Sequence, residues 1–215
     1  MAHISRLRGR DSFRRKHGNR KPKPITLVVC EGETERAYFE AARLHFRLPR
    51  TEFVVAESDQ GSAPISVVDC AERKSTERGG YDQIFCVFDR DQHANFRAAR
   101  ERIVTLASRQ HKRLAIAEAV SIPCFEFWIL LHYEKTDASF ASCADVVRYL
   151  RSEHIPNYQK ADAELCKQLM AKLNDAITNA DWVEARAAIN NHDPYTSAHN
   201  VMRHFVAIAR NQGTP

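Results

Sequence analysis

The sequence has 215 residues, 44% of them hydrophobic and 27% charged, with a net charge of +5. These are proportions of a globular chain that buries a substantial core, and they argue against wholesale disorder. No apolar run approaches the roughly 18 residues of a helical membrane span. No apolar segment follows the basic first residues, so no secretory signal is read and a cytoplasmic location is expected. The charge is uneven. Up to Pro24 there are nine Lys/Arg against one acid, Asp11, while the remaining 23 basic and 26 acidic residues leave the body at −3. A basic arm over residues 1–24 suits the phosphate backbone of a nucleic acid. A solvated tail without a specific ligand is the plainer alternative.

After the arm, residues 25–30 (ITLVVC) form a short, β-branched, wholly apolar run. Such a run reads as a strand buried on both faces. A helical pattern follows Gly32 and ends before Pro49. A second strand is expected at 51–56 (TEFVVA), then a helix up to Gly79 and Gly80. A third apolar strand is expected at 83–88 (QIFCVF), then a helix carrying Phe96, Ala99, Ile103 and Leu106. A fourth strand is expected at 113–120 (RLAIAEAV). Short connections and strict alternation predict a mostly parallel four-stranded sheet flanked by helices. From about Pro123 the pattern is helical: a buried helix at 124–133, then helices at 143–151, 162–178, 180–189 and 195–210. The expected organisation is an arm (1–24), an α/β domain (25–122) and a helical C-terminal part (123–215) packed on it.

The six cysteines show no C-x-x-C or zinc-finger spacing. They read as small buried hydrophobes of a reducing compartment, with neither disulfide framework nor structural zinc expected.

Ligands of open parallel sheets bind at the C-terminal ends of the strands. Two acidic clusters fall there: Glu31, Glu33 and Glu35 after the first strand, and Asp89 and Asp91 after the third. Alternate residues of an extended segment share a side, so Asp89 and Asp91 reach one point, and Glu31 converges from the neighbouring strand. Gly32 permits a sharp turn and leaves room above the glutamate. Carboxylates gathered this way repel, and a hard divalent cation resolves the repulsion. Helix capping and first-turn placement are the alternative for any one cluster, and Glu33 reads as such an acid. Glu126 lies within the apolar stretch 123–131, where an unpaired carboxylate is costly. It is therefore a candidate site residue, or else the partner of an arginine or a solvent-facing residue of an amphipathic helix. Arg90 and His93 flank the second cluster as candidate phosphate contacts, His93 alternatively as a helix cap. Tyr158 and Lys160 in the NYQK stretch are candidate substrate contacts, or an exposed helix start.

The blocks CEGETE, FDRDQH and SIPCFEFWILLHYE, in this order, resemble the RloB-like family of Toprim-containing prokaryotic defence proteins. The arginine-rich start and the late Asn190-Asn191-His192-Asp193-Pro194 segment fit the same family. The resemblance spans essentially the whole chain. It implies a Toprim-like fold, Mg²⁺ or Mn²⁺ as cofactor, and a metal-dependent nuclease active in antiviral, abortive-infection-type defence. It also implies that Glu31 is the Toprim glutamate, a metal ligand or general acid/base. Asp89 and Asp91 correspond to the metal-binding aspartates, and Glu35 to the second acid of OLD-like nucleases. Glu126 would support a second ion. The implied partner is DNA or RNA, with no membrane. Control by a partner protein, a small-molecule activator or homo-oligomerisation is expected, because a freely active nuclease would harm its host. No Walker A motif is present, so an ATP-dependent step would need another chain. Two other readings stay open. One is a D-x-D phosphatase or phosphotransferase with Asp89 as nucleophile, although that strand usually opens its domain. The other is a non-catalytic nucleic-acid-binding module built on the arm.

Overall fold

The computed structural model describes residues 24–56, 63–90, 95–109, 114–190 and 193–211. The basic arm, apart from Pro24, lies outside them, as do Asp91 and His93. Strands β1 (Thr26–Cys30), β2 (Thr51–Val55), β3 (Gln83–Asp89) and β4 (Ala115–Ile122) alternate with helices α1 (Glu33–His45), α2 (Pro64–Arg78) and α3 (Phe96–Arg109). Beyond β4 come α4 (Glu126–Leu130), α5 (Cys143–Glu153), α6 (Ala163–Leu169), a 3₁₀ turn (Met170–Lys172), α7 (Leu173–Asn190), β5 (Tyr195–Thr196) and α8 (Ala198–Asn211). The sheet order is β2-β1-β3-β4-β5, parallel except for β5. This is the expected α/β architecture with one strand more.

The apolar runs are strands because both of their faces are covered. Val28 and Cys30 of β1, Phe85 and Val87 of β3 and Ala119 of β4 face a core shared with α1, α4–α8. Leu27, Val29, Ile84, Cys86, Phe88 and Val120 alternate to the other face, under α2 and α3. With period-two side chains and no solvent face, every position in these strands can be apolar.

The C-terminal part differs from its sequence pattern in three places. Tyr195 and Thr196 do not open the last helix but pair antiparallel with Ile122 and Ser121. Ser197 locks this register: its backbone N–H donates to the Val120 carbonyl and its hydroxyl accepts the Val120 N–H, both at 2.8 Å. The expected break near Asn179 is absent, since α7 is continuous, and the chain turns instead at Met170–Lys172. The helix expected at 124–133 is confined to five residues, Glu126–Leu130. That short helix is nonetheless buried along its whole length. Trp128 is fully buried, with its ring edge-on to Tyr38 and His132. The Trp128 carbonyl can only accept, so His132 Nδ1–H donates to it at 3.0 Å, and Nε2 accepts the Tyr38 hydroxyl at 2.9 Å. Burial pushes His132 down to about 4, which keeps the ring neutral in this bridge.

Candidate functional site

From β1 the chain steps to β2 on one side and then to β3 on the other. The direction of winding therefore reverses between β1 and β3, and the crevice beyond their C-terminal ends is where doubly wound sheets take ligands. Glu31 is the first residue after β1, and Asp89 is the last of β3. The Glu31 backbone N–H donates to the Val87 carbonyl at 3.0 Å, and Glu31 Oε2 accepts the Asp89 backbone N–H at 2.9 Å. The glutamate thus ties the two strand ends together while its carboxylate stays at the crevice.

Gly32 is the N-cap of α1 in an ordinary extended conformation, φ −140°. What calls for glycine here is proximity. A Cβ at this position would stand 3.0 Å from Glu35 Oε2. Glu35, in the first turn of α1, folds back over Gly32 and is only 5% exposed. Glu126 opens α4 at 2% exposure. Its Oε1 accepts the Tyr158 hydroxyl at 3.2 Å and pairs with Lys160 Nζ at 3.1 Å. Both partners come from the connection between α5 and α6, where Arg151 donates to the Tyr158 carbonyl and Ala161 adopts φ 57°. A non-glycine residue there carries backbone strain of about 1 kcal/mol or more. It directly follows the lysine that reaches the cavity.

Glu31, Gly32, Glu33, Thr34, Glu35, Asp89, Cys124, Glu126, Cys143, Lys160 and Ala161 line one cavity of about 360 Å³. Four largely enclosed carboxylates face one lysine, whose side chain is 64% exposed. The imbalance shows in their proton affinities. Burial, then repulsion from Glu126 and Glu31, raises Glu35 to about 7, against the pull of its own backbone N–H and of Lys160. Burial, then Glu35, Glu31 and Glu126, raises Asp89 well above the usual carboxylate range, against a backbone hydrogen bond from Phe125. For Lys160, burial lowers the proton affinity, but Glu126 and the other carboxylates outweigh it and raise it, so the ammonium stays charged. Tyr158 is raised by burial and by Glu126, and stays a hydroxyl donor. Burial and mutual repulsion thus favour the protonated forms of Glu35 and Asp89. Carboxylate oxygens are the donor type that a hard divalent cation takes, so Glu31, Glu35 and Asp89 are the residues that could hold one here.

The structure therefore brings together Glu31, Glu35, Asp89, Glu126, Tyr158 and Lys160. Arg90 is not with them: its guanidinium pairs with Asp193, away from the cavity lining. Glu33 pairs with exposed Arg36 at the cavity rim, consistent with a first-turn acid. Asp91 and His93 lie outside the described residues. Cysteine chemistry is a correction to the sequence reading. Cys124 and Cys143 form a disulfide, Cα atoms 5.5 Å apart, on the cavity wall, and Cys143 Sγ lies 3.2 Å from Glu126 Oε2. The two cysteines stand 19 positions apart without any spacing motif. Only the packing of α5 against α4 juxtaposes them. The other four cysteines are free and buried, as expected.

No helix among the described residues is long and apolar enough to cross a membrane. No curated protein and no solved structure matches the chain. The family model of the RloB-like protein matches residues 26–205. That stretch begins with the first residue of β1, ends within α8 and contains every residue that lines the cavity. The chain belongs to the RloB-like family.

Proposed function

We propose that this protein is a Toprim-type, Mg²⁺- or Mn²⁺-dependent nuclease that hydrolyses phosphodiester bonds, acting in prokaryotic antiviral defence of the abortive-infection type. The observation that carries this reading is the meeting of Glu31, Glu35, Asp89 and Glu126 in one cavity at the switch point of the sheet. Glu31, Glu35 and Asp89 would hold the cation, with Asp91 following Asp89 in the chain. The cation supplies Lewis-acid polarisation of the phosphate and a more acidic water. The chain supplies the rest. Glu126, kept in place by Tyr158 and Lys160, is positioned to accept a proton from the attacking water. Lys160, with most of its side chain in solvent, offers donors to a phosphate oxygen at the cavity mouth. The basic arm would add backbone affinity that falls steeply with salt.

The test is incubation of the full chain with DNA, total RNA and tRNA, in Mg²⁺, in Mn²⁺ and in EDTA, alongside Glu31→Ala and Asp89→Ala. Cleavage is expected only with a divalent cation, and is expected to fall by roughly 10²-fold or more in both variants. Tight, salt-sensitive binding with no cleavage, unchanged in both variants, would replace this reading with a non-catalytic binding module. Release of phosphate from small monoesters, lost in Asp89→Ala alone, would point to a phosphatase.

Gly32→Ala is a milder probe of the same site. Its extended backbone accepts alanine, so the change in stability is expected to stay below about 1 kcal/mol. Displacement of the Glu35 carboxylate by the new Cβ is expected to weaken Mn²⁺ binding roughly tenfold or more. Calorimetric titration of Mn²⁺ reads this. Unaltered affinity would remove Glu35 from the donor set.

A further inference from the structure

A second cluster lies away from the cavity, where α7 meets the start of α8. Asp181 and Glu184, three residues apart on α7, share one face of that helix. His199, the second residue of α8, faces them. His199 is 0% exposed, and neither ring nitrogen makes a hydrogen bond. A buried imidazole with nothing bound at Nδ1 and only contacts outside hydrogen-bond geometry at Nε2 is costly and calls for an explanation. Its Nε2 stands 3.3 Å from Glu184 Oε2 and 3.5 Å from Asp181 Oδ1, and one ligand atom from each of the three residues lies within 4.8 Å of the others.

The remaining carboxylate oxygens are occupied. Asp181 Oδ2 is paired with Arg203, and Glu184 Oε1 accepts the Tyr195 hydroxyl at 3.2 Å. Each carboxylate is thus held from outside by one donor, and its inner oxygen is turned towards the imidazole. Outer-shell donors that orient ligands in this way are the usual support of metal sites. The spacing agrees with that role. Bonds of about 2.0–2.2 Å at tetrahedral angles put the ligand atoms of zinc about 3.3–3.6 Å apart. Two carboxylates against one guanidinium also leave net negative charge for a cation to neutralise. An imidazole nitrogen beside two carboxylate oxygens favours a borderline transition ion over Mg²⁺. The carboxylate side chains are 41% exposed, so water can complete the coordination.

We propose that Asp181, Glu184 and His199 form a divalent transition-metal site of the zinc class, which clamps α8 onto α7. The site is structural. α8 carries Phe205 and His204 onto the sheet, where His204 Nε2 bonds Thr26 Oγ1 at 2.9 Å. Fixing its first turn therefore fixes how it covers β1 and β3. The proposal does not depend on nuclease activity.

The experiment uses the full chain, freed of metal by a chelator and titrated with Zn²⁺, in a Glu31→Gln background that weakens the acidic cavity. Bound zinc is counted after gel filtration, and Co²⁺ substitution reports coordination through its visible bands. One zinc equivalent is expected to disappear in His199→Ala and in the isosteric double variant Asp181→Asn/Glu184→Gln. Tyr195→Phe is expected to keep the site with affinity weakened roughly 10–100-fold. Because His199 is buried, the half-exposed isosteric pair carries the test if His199→Ala does not fold. Equal zinc content and equal Co²⁺ spectra in the background protein and the folded double variant would overturn the proposal. Displacement of zinc by equimolar Mg²⁺ would overturn the choice of ion.

Discussion

With divalent cations chelated, Glu35→Gln is expected to stabilise the folded protein at pH 8 by about 3 kcal/mol, and to change it little near pH 4.5. Burial, with Glu126 and Glu31 behind it, moves the Glu35 carboxyl from 4.5 to about 7 in the folded state. Below about pH 4.5 both folded and unfolded chains hold this proton, and the group contributes nothing. Between 4.5 and 7 the unfolded chain has lost the proton and the folded chain has kept it, so stability falls by about 1.4 kcal/mol per pH unit. Above 7 the loss is complete and constant. Asp89 is shifted in the same direction by the same causes. His132, lowered by burial to about 4, works the other way: the unfolded chain gains its proton first as the pH drops, so stability rises with pH between about 4 and 6.5. The two slopes oppose each other in the parent protein. The informative quantity is therefore the difference between parent and Glu35→Gln, from denaturant unfolding in EDTA at several pH values. A difference that is flat across this range would mean that Glu35 is not held against its charge. Added Mg²⁺ or Mn²⁺ should stabilise the parent at pH 8, since it binds the ionised folded form, and should do so less in Glu35→Gln.

The parts of this structure legible in the sequence are those governed by local rules. A strand covered on both faces reads as an unbroken apolar run, so residues 25–30 and 83–88 announce β1 and β3, and with them the location of Glu31 and Asp89. Glu35 was within reach because it lies one helical turn from Glu31. β5 was not: two residues carry no periodicity, and Tyr195 and Thr196 are strand only because Ser197 and Val120 exchange hydrogen bonds. The hydrophobic pattern across 162–189 gives no notice that the chain turns at Met170–Lys172 rather than near Asn179. The environment of Glu126 was legible as a problem, a carboxylate in an apolar run, but not as a solution. Its partners lie 32 and 34 residues later, and the sequence offered Tyr158 and Lys160 only as free-standing candidates. The same distance effect hid the approach of Cys143 to Cys124 and of His199 to Asp181 and Glu184. Arg90, adjacent in sequence to Asp89, illustrates the converse. Neighbours along a strand end diverge, and its side chain turns to Asp193.

Lys160→Met is expected to destabilise the metal-free protein at neutral pH by about 2 kcal/mol, between the values typical of exposed and of buried ion pairs. Glu126→Gln added to it is expected to recover most of that loss. Glu126 is 2% exposed and Lys160 64%, so the pair is buried at one end only. The lysine has a solvated alternative and gives up little when its partner is neutralised. The glutamate has none. One oxygen keeps the Tyr158 hydroxyl at 3.2 Å, and the other faces a disulfide sulfur, which carries no proton to donate. Removing the lysine therefore leaves a buried charge with one neutral donor, whereas removing the charge leaves an amide that can still accept from Tyr158. The asymmetry is the test: in a double-mutant cycle, Glu126→Gln alone should cost less than Lys160→Met alone, with a coupling energy of about 1 kcal/mol or more. Equal single costs and no coupling would mean that water, rather than Lys160, balances Glu126. Glu126 would then be free to act without its lysine, and cleavage by Lys160→Met should survive with only substrate affinity reduced. If the coupling is found, Lys160→Met should also lower the turnover rate, because the carboxylate that accepts the proton would have lost the partner that holds it in place.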